Sequence, residues 1–312
     1  MLRQTFLWFS HRQGVFRFVR HNRLARRIAG RFVAGESIDD AIAAVRTLNA
    51  RRISASLDLL GESVTLPQDA AATADEYIAL LDRIAAERLE ANVSVKLTAM
   101  GQDVSDELCM ENITRVLVRA REHGSFVRLD MEGSTYTERT LQLFEEQLFP
   151  TFRDHVGIVL QSYLRRTVGD VSNAIDIQCR VRLCKGAYKE PPTVAFPEKS
   201  VVDANFVACM RRLMSSGNYP GLATHDEAII AEARRYAEEQ SIPPERYEFQ
   251  MLYGVRRDLQ ERLVRDGYRM RVYVPYGTQW YPYLMRRLAE RPANVAFMTG
   301  SVVKEYMSSR RR

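Results

Sequence analysis

Tyr283, Arg286 and Arg287 are three residues whose types and spacing could bind a carboxylate. They stand at positions i, i+3 and i+4, so a helix over residues 281–290 would turn all three to one side. Guanidinium is planar, always charged and matched to a carboxylate in a two-pronged arrangement. Arg-Arg pairs recur in this chain, however, and such pairs usually lie on a solvated surface. The fold around the cluster must therefore decide between a carboxylate clamp and an ordinary surface.

A second group consists of polar residues at or near the ends of short apolar runs. It combines Lys, Arg, Asp and His, which suggests an anionic small-molecule ligand. Each residue also has a plainer interpretation, since Asp130 could cap a helix or form a structural ion pair with Lys96. Lys96 or Lys185 on a barrel strand would equally suit a Schiff-base lyase. The members are Lys96, Asp130, Gln161, Arg182, Lys185, Thr224, His225, Gln250 and Tyr273.

These residues belong to a regular alternation of short strands and longer helices that begins after residue 50. Apolar, β-branched runs predict strands at 53–59, 93–97, 126–130, 157–161, 181–185, 221–224, 247–251 and 270–274. Helix-period segments predict helices at 73–89, 106–122, 138–148, 170–177, 201–214, 227–239, 258–265 and 281–290. The first of these opens on Thr73 and Glu76, which have the spacing of a capping box.

Strands that alternate with helices predict a parallel sheet, and this count is that of an α/β, TIM-type (β/α)₈ barrel. An open doubly wound sheet is disfavoured, because no G-x-G-x-x-G turn follows the first strand. In a barrel the carboxyl ends of the strands form one mouth, where active sites lie. We therefore expect residues 51–312 to form the barrel and a C-terminal helical tail, and residues 1–50 to add N-terminal helices packed on it.

The composition excludes several classes of protein. Residues 1–35 hold eight Arg and no acidic residue, and subtracting these eight from the 45 Lys and Arg leaves 37 against 39 acidic residues. The basic charge is thus confined to the N-terminus, which argues against nucleic-acid binding by the whole protein. The four cysteines show no C-x-x-C spacing and the five histidines no ligand pair, so we expect a cytoplasmic protein with neither disulfides nor a metal site.

The N-terminal segment mixes its arginines with aromatic residues such as Phe6, Trp8 and Phe16. It lacks the long apolar core of a secretory signal, although its composition also resembles that of a transit peptide. Amphipathic helices docked on the main domain are the plainer interpretation. The functional one is peripheral contact with the inner face of the membrane through Arg and aromatic side chains.

Several motifs together resemble the proline dehydrogenase family, flavoenzymes built on a (β/α)₈ barrel, over roughly residues 53–300. The most specific segment lies on the fifth predicted strand, and the others follow the first, sixth, seventh and eighth strands. The motifs are Arg180-Val-Arg-Leu-Cys-Lys-Gly-Ala-Tyr188, Asp58-Leu-Leu-Gly-Glu62, Leu222-Ala-Thr-His225, Glu248-Phe-Gln-Met-Leu-Tyr-Gly254, Arg271-Val-Tyr-Val-Pro-Tyr-Gly277 and Tyr283-Leu-Met-Arg-Arg287.

The resemblance implies roles for individual residues around the substrate. Arg286, Arg287 and Lys96 match the family residues that hold the proline carboxylate, with Tyr283 packed beside the arginines. Leu252 and Tyr273 match residues that shape the pocket around the pyrrolidine ring. Asp130 matches a catalytic aspartate, which would pair with Lys96 or orient it. Glu62 matches a glutamate, which would close the site by bridging to Arg286.

The resemblance also implies FAD as the cofactor. Arg182 matches a catalytic arginine near the flavin ring, where a cation favours the reduced flavin. Flavin-contacting positions of the family correspond here to Met131, Gln161, Lys185, Gly186, Ala187, Thr224, His225 and Gln250.

The reaction implied is hydride transfer from C5 of L-proline to N5 of FAD, which yields Δ1-pyrroline-5-carboxylate. Electrons would then pass to a quinone, and membrane contact through the N-terminus would serve that second step. Two alternatives stay open at this point. They are the Schiff-base barrel lyase that uses Lys96 or Lys185, and a non-enzymatic barrel that binds an anionic ligand.

Overall fold

The chain folds into a closed barrel of eight parallel strands. The structure is a computed structural model, which describes residues 30–290 and the side chains of residues 30–285. Each strand pairs with its neighbours in chain order, and the first closes on the last. The predicted (β/α)₈ barrel is thereby confirmed. The strands are β1 Ser54–Leu59, β2 Ala91–Val95, β3 Val127–Leu129, β4 Val156–Gln161, β5 Arg180–Cys184, β6 Gly221–Ala223, β7 Glu248–Leu252 and β8 Met270–Tyr276.

Helices precede and connect the strands. A 3₁₀ turn, Leu97–Met100, follows β2, and a π-helical turn, Phe144–Leu148, continues the helix after β3. The α-helices are α1 Ile38–Asn49, α2 Pro67–Ala86, α3 Asp106–Glu122, α4 Ser134–Leu143, α5 Phe149–Phe152, α6 Thr167–Asp176, α7 Lys199–Ser216, α8 Glu227–Glu239, α9 Arg257–Arg265 and α10 Trp280–Glu290.

The start of α2 differs from the prediction. The helix begins at Pro67, whose fixed φ suits the first helical turn, and not at a capping box on Thr73. Thr73 lies inside the helix, and its hydroxyl donates to the backbone carbonyl of Asp69, 2.8 Å away. The spacing of Thr73 and Glu76 therefore does not mark the start of this helix, because Pro67 starts it six residues earlier.

The inward faces of β1 and β2 are polar. Side chains alternate between the two faces of a strand, and the hydroxyl oxygens of Ser56 and Ser94 approach to 2.8 Å inside the barrel. The residues between them, such as Leu57 and Val93, are fully buried in the hydrophobic core. The outward-facing side chains of these strands therefore stabilise the barrel by apolar packing, whereas their inward-facing side chains make polar contacts.

Two glycines give long side chains the room to lie across the barrel. A Cβ atom on Gly221 would overlap the side-chain amide of Gln250, and one on Gly157 would come 2.7 Å from Nη1 of Arg128. Both glycines stand on inward positions of their strands, opposite a bulky polar residue. They are required by this close approach.

Helix α1 occupies the place on the barrel wall between β8 and β1. It contacts both strands and buries Ile42 and Val45 in the main core. Its N-terminus is closed by a capping box, in which the Ser37 hydroxyl accepts from the Asp40 amide and the Asp40 carboxylate accepts from the Ser37 amide. Since α1 fills this position, the last helix of the barrel is displaced from the wall.

Helix α10 lies at the carboxyl end of the strands instead. Trp280 and Leu284 pack with Val33 and with Leu60, which directly follows β1, in a cluster separate from the main core. The indole Nε1 of Trp280 donates to Glu36 Oε1 at 2.8 Å. The chain before α1 therefore holds α10 over the mouth of the barrel.

Part of the predicted organisation lies outside the described residues. This holds for the expected helices before residue 30, the membrane-contacting segment and the C-terminal tail beyond residue 290. Between residues 30 and 290, no helix combines the length and the apolar character that crossing a bilayer requires.

Replacing Arg271 with Met should lower the free energy of unfolding by about 3–5 kcal/mol, because it leaves a buried carboxylate without its cation. Arg271 Nε donates to Glu248 Oε1 at 2.7 Å, and Gln250 and Tyr219 donate to the same carboxylate. Burial raises the pKa of Glu248, yet the Arg271 charge and these hydrogen bonds hold it below its ordinary value. Urea unfolding at neutral pH measures the loss.

Arg235→Met is the matched control, since Arg235 pairs with Glu232 on the exposed surface of α8. Water screens such pairs, so this variant should unfold almost as the wild type does. Because the pKa of Glu248 is lowered, the stability that it provides is present above the ordinary carboxyl pKa and is lost as pH falls through the lowered value. An Arg271→Met variant with wild-type stability would contradict the assignment of a buried, coupled pair.

Candidate active site

Arg182 is the centre of the polar network inside the barrel. Its guanidinium donates to Gln250 Oε1 at 2.5 Å, to Asp130 Oδ1 at 2.7 Å and to the hydroxyls of Ser56 and Ser94 at 3.2 and 3.1 Å. The side chain is almost fully buried. Only guanidinium offers enough donors in a fixed plane to reach β1, β2, β7 and the end of β3 together. Arg182 thus fixes the relative placement of four parts of the barrel.

Asp130 is held from two sides at the end of β3. One carboxylate oxygen pairs with Arg182, and the other accepts from the Tyr273 hydroxyl at 2.7 Å. The Arg182 guanidinium also lies over the Tyr273 ring, 5.3 Å from its centroid. Burial and the Asp130 charge raise the pKa of Tyr273 far above its ordinary value, so the phenol stays a hydrogen-bond donor. The three side chains form one rigid unit at the mouth.

Lys96 lies next to this unit but binds another carboxylate. The sequence suggested that Asp130 would pair with Lys96 or orient it, whereas the Lys96 ammonium forms a 2.8 Å salt bridge with Asp58 on β1. The direct pairing was wrong, because Asp130 is already engaged by Arg182 and Tyr273. Orientation of Lys96 by the charge of Asp130 stays a prediction. The registry of β1 on β2 sets Asp58 beside Ser94, two residues before Lys96.

Burial alone would lower the pKa of Lys96, but the charges of Asp58 and Asp130 outweigh it and raise the pKa above the ordinary value. The pKa of Asp58 is raised as well, chiefly by burial and against the attraction of Lys96. Lys96 therefore stays a cation at neutral pH. A fixed ammonium at the mouth can attract a carboxylate, and it is a poor nucleophile for a Schiff base.

The opposite side of the mouth, after β4 and β5, has the features of a ligand cradle. Gln161 is buried, its amide nitrogen donates to the Met131 carbonyl at 3.3 Å, and its Oε1 has no hydrogen-bond partner within the described part of the chain. Gly186 has φ +106°, and a Cβ on it would overlap the ring of Tyr163. An orphaned buried acceptor beside a backbone that admits only glycine fits a site for a polar, planar ligand.

The residues around this cradle are tied to one another. Lys185 forms salt bridges with Asp203 at 2.5 Å and Asp226 at 2.9 Å, while the Thr224 hydroxyl accepts from the Asp226 amide at 3.1 Å. Ala187 follows on the exposed end of the same loop. Lys185 is thus engaged by two carboxylates, which weakens the lyase interpretation for Lys185, as the bond to Asp58 does for Lys96.

His225 Nε2 accepts a hydrogen bond from the Leu252 backbone amide at 3.0 Å. An accepting Nε2 carries no proton, so the neutral ring is protonated on Nδ1. This bond joins the ends of β6 and β7 and sets Leu252 near the mouth. Both residues thus lie where the sequence placed them, at adjacent strand ends.

The predicted carboxylate clamp is described only in part. Tyr283 is buried in the cluster that holds α10 over the mouth, whereas the side chains of Arg286 and Arg287 lie outside the described residues. Glu62 is half-buried in the loop after β1, near enough for its charge to raise the pKa of Lys96. The helix backbone of α10 is in place to carry the arginines, and the bridge from Glu62 to Arg286 stays a prediction.

Sequence reasoning missed several polar residues of the site. Ser56 and Ser94 support Arg182, and Asp58 pairs with Lys96. The signal was present in the chain as strict alternation, Ser-Ala-Ser-Leu-Asp in β1 and Asn-Val-Ser-Val-Lys across β2. Reading every second residue of each strand, and not only its last residue, would have found them. Within residues 30–285, no cluster of His, Cys, Asp and Glu has the arrangement of a metal site.

Comparison with known proteins identifies the group to which this barrel belongs. Residues 41–300 match the family model described as Proline dehydrogenase. The chain belongs to the proline dehydrogenase family. It is 44% identical to "Proline dehydrogenase" of Deinococcus radiodurans, over 89% of this chain and 90% of that protein. It is 40% identical to "Proline dehydrogenase 1" of Bacillus subtilis, over 98% of this chain and the full length of the relative.

Solved structures of larger relatives share the fold. Proline utilization A from Bdellovibrio bacteriovorus, inactivated by N-propargylglycine, superposes with a TM-score of 0.81 at 29% identity, over 90% of this chain and 34% of that one. The chain thus corresponds to about a third of that protein. The match to the proline dehydrogenase family runs from α1 through α10 and includes every strand that lines the mouth. The family resemblance read from the motifs is therefore confirmed.

Proposed function

We propose that this protein oxidises L-proline to Δ1-pyrroline-5-carboxylate with FAD as its cofactor. The observation that supports the proposal most is the family match over the whole barrel, together with a mouth that presents Lys96 and Arg182 as fixed cations. FAD, when bound, would supply the acceptor for the hydride that leaves C5 of proline. The chain itself would bind and orient the substrate and keep water away.

The division of labour follows from the arrangement of the mouth. Lys96, Arg286 and Arg287 would hold the proline carboxylate, and Tyr273 and Leu252 would shape the apolar side of the pocket. Arg182, with Asp130 as its counterion, would place positive charge where the flavin gains negative charge. Such pre-positioning of two reacting groups lowers the entropic part of the barrier.

Flavin binding is proposed for the cradle after β4 and β5. Gln161 offers an unused acceptor and Gly186 an open backbone, while Gln250, Thr224, His225, Lys185 and Ala187 line the neighbouring strand ends. The residues present therefore fit the group that the family requires. Electrons would leave to a quinone, with the Arg-rich, aromatic N-terminus in peripheral contact with the membrane; that segment lies outside the described residues.

The purified protein tests this proposal directly. We expect it to be yellow and to bleach when proline is added without oxygen, because hydride transfer removes the oxidised chromophore. A colourless protein that cannot be reconstituted with FAD would overturn the proposal. If borohydride then trapped a carbonyl substrate on Lys96 or Lys185, the lyase would replace it.

Arg287→Met should lower kcat/KM for proline roughly ten- to a hundredfold, since a charge-assisted hydrogen bond to a carboxylate contributes about 1.5–3 kcal/mol. Steady-state kinetics with the flavin-loaded enzyme measures the effect. Arg265→Met, at the exposed end of α9, is the matched control and should leave kcat/KM unchanged. Wild-type kinetics in Arg287→Met would mean that the arginine belongs to the ordinary surface.

A further inference from the structure

A buried carboxylate stands behind the mouth and has no part in the mechanism above. Glu132, two residues beyond Asp130, is buried, with both oxygens directed at Thr98 in the turn after β2. One oxygen accepts from the Thr98 hydroxyl at 2.8 Å and the other from the Thr98 amide at 3.3 Å. Thr98 is two residues from Lys96, so this pair of bonds fixes the turn that carries the lysine.

Thr98 is also hydrogen-bonded to the loop that follows β1. Its hydroxyl oxygen accepts from the Ser63 amide at 3.0 Å, and its carbonyl accepts from the Val64 amide at 3.1 Å. Ser63 has φ +54°, a left-handed conformation that a non-glycine residue holds only when its surroundings enforce it. Thr98 is therefore one of the residues that hold the loop in this conformation, through its bonds to two consecutive amides.

The same loop touches both sides of the proposed substrate pocket. It begins at Leu60, which packs against Trp280 of α10, and it carries Glu62, whose charge is felt at Lys96. One connected chain of bonds thus runs from Glu132 through Thr98 to the loop that meets α10. We call Glu132, Thr98 and Ser63 the latch.

We propose that Glu132 is a positioning residue, which holds the β1 loop and the Lys96 turn in the substrate-binding arrangement through Thr98. The proposal rests on the proposed function, because the pocket that it organises is the proline pocket. Glu132 would touch neither substrate nor cofactor. Its effect should therefore appear in the KM for proline far more than in kcat.

The charge state of Glu132 should control the latch. Burial raises the pKa of Glu132 to about 7, against the Thr98 hydrogen bonds and the charge of Lys96, while Glu62 raises it further. Two further titratable groups, Cys109 of α3 and Tyr136 of α4, lie close enough for the charge of Glu132 to raise their pKa values. Both thiol and phenol have pKa values raised by their surroundings, so both stay neutral near pH 7.

Protonation would weaken the latch for a simple reason. The ionised carboxylate accepts from two donors, the amide and the hydroxyl of Thr98, and the oxygen of that hydroxyl accepts in turn from a third donor, the amide of Ser63. A protonated carboxyl adds a fourth donor to this set and removes the charge that strengthens the bonds. The latch should thus be closed above pH 7 and loosened below it, and KM for proline should fall as pH rises through that value.

Glu132→Gln tests the charge at nearly constant shape. At pH 8 its KM for proline should be roughly tenfold above that of the wild type, the equivalent of one lost charge-assisted bond, with kcat and flavin content retained. Between pH 6 and 8 its KM should stay flat, whereas that of the wild type should fall. A Glu132→Gln enzyme with wild-type KM at pH 8, or with the wild-type pH dependence, would overturn the proposal.

Thr98→Val and Thr98→Ser test the relay without altering Glu132. The valine keeps the shape but removes the hydroxyl, and it should raise KM as Glu132→Gln does; the serine restores the hydroxyl and should restore KM. Ser105→Ala is the matched control, because the Ser105 hydroxyl accepts from the Leu108 amide as the N-cap of α3 and has no hydrogen bond with Glu132, Thr98 or Ser63 among the described residues. It should lower the melting temperature and leave KM unchanged. Equal KM values in the valine and serine variants would reject the relay.

Hydrogen exchange of the Ser63 and Val64 amides separates this proposal from the proposed function, because it needs no substrate. Thr98→Val and Glu132→Gln should speed exchange in the peptide that covers residues 60–66 relative to wild type at pH 8, and Ser105→Ala should not. Faster exchange in a protein that fails to oxidise proline would support the latch and overturn only the proposed function. Unchanged exchange would overturn the latch, even in an active proline dehydrogenase.

Discussion

Arg182→Met is expected to lower kcat for proline by about 10²–10³, the loss that follows removal of one fixed donor from a site of developing charge. The substitution removes the cation proposed to face the flavin and breaks its salt bridge with Asp130. It also removes the guanidinium donors from Gln250 Oε1 and from the hydroxyl oxygens of Ser56 and Ser94. Steady-state kinetics and flavin content together measure the effect.

Arg182→Lys separates charge from geometry. Lysine keeps the positive charge but cannot reach four partners in one plane, so its activity should lie between those of the wild type and the methionine variant. Arg180→Met is the control, since Arg180 lies two residues earlier on β5, stacked on Phe126, and away from Asp130. Near-wild-type kcat in Arg182→Met, with full flavin content, would remove Arg182 from the catalytic machinery.

Lys96→Met is expected to cost about 3–5 kcal/mol of the free energy of unfolding at neutral pH, because Asp58 is buried and loses its cation. It should also raise KM for proline, since the ammonium is proposed to bind the carboxylate. The double variant Asp58→Asn/Lys96→Met removes the stranded charge. It should regain most of the stability but not the affinity for proline, and this difference separates the structural role of the lysine from its binding role.

The pH dependence of the Lys96→Met variant has a definite sign. The pKa of Asp58 is already raised by burial in the wild type, and loss of the lysine raises it further. A group whose folded pKa exceeds its unfolded pKa binds more protons in the folded state, so stability falls as pH rises between the two values. Urea unfolding at pH 5 and pH 8 measures this effect. The free energy of unfolding should decrease between pH 5 and pH 8 by more in Lys96→Met than in the wild type or in the double variant. Equal losses at the two pH values would contradict a buried, uncompensated Asp58.

The barrel itself could be predicted from the chain because its signals are local. Each strand is a short β-branched run, and the helices between them repeat with a period that any segment shows without its neighbours. The predicted bounds of the strands differ from the observed bounds by at most two residues, as 93–97 against Ala91–Val95 shows for β2. The predicted polar residues lie within the last residues of the strands or just beyond them, as Gln161 at the end of β4 and Lys185 after β5 show, since parallel strands place their carboxyl ends at one edge. Helix starts were less certain, as Pro67 in place of Thr73 shows.

The sequence determined which residues face the inside of the barrel, because alternation along a strand depends on nothing but the strand. Only the tertiary structure decided which of them meet. Arg182 reaches across the barrel to Asp130, so Lys96 is left to Asp58, although Asp130 is an equally suitable carboxylate by type. Which carboxylate pairs with Lys96 depends on the closure of the barrel and on the register between β1 and β2. It also depends on the length of the Arg182 side chain, which reaches Asp130 from β5. These are distances between residues remote in the chain, and no local pattern of amino acids encodes them.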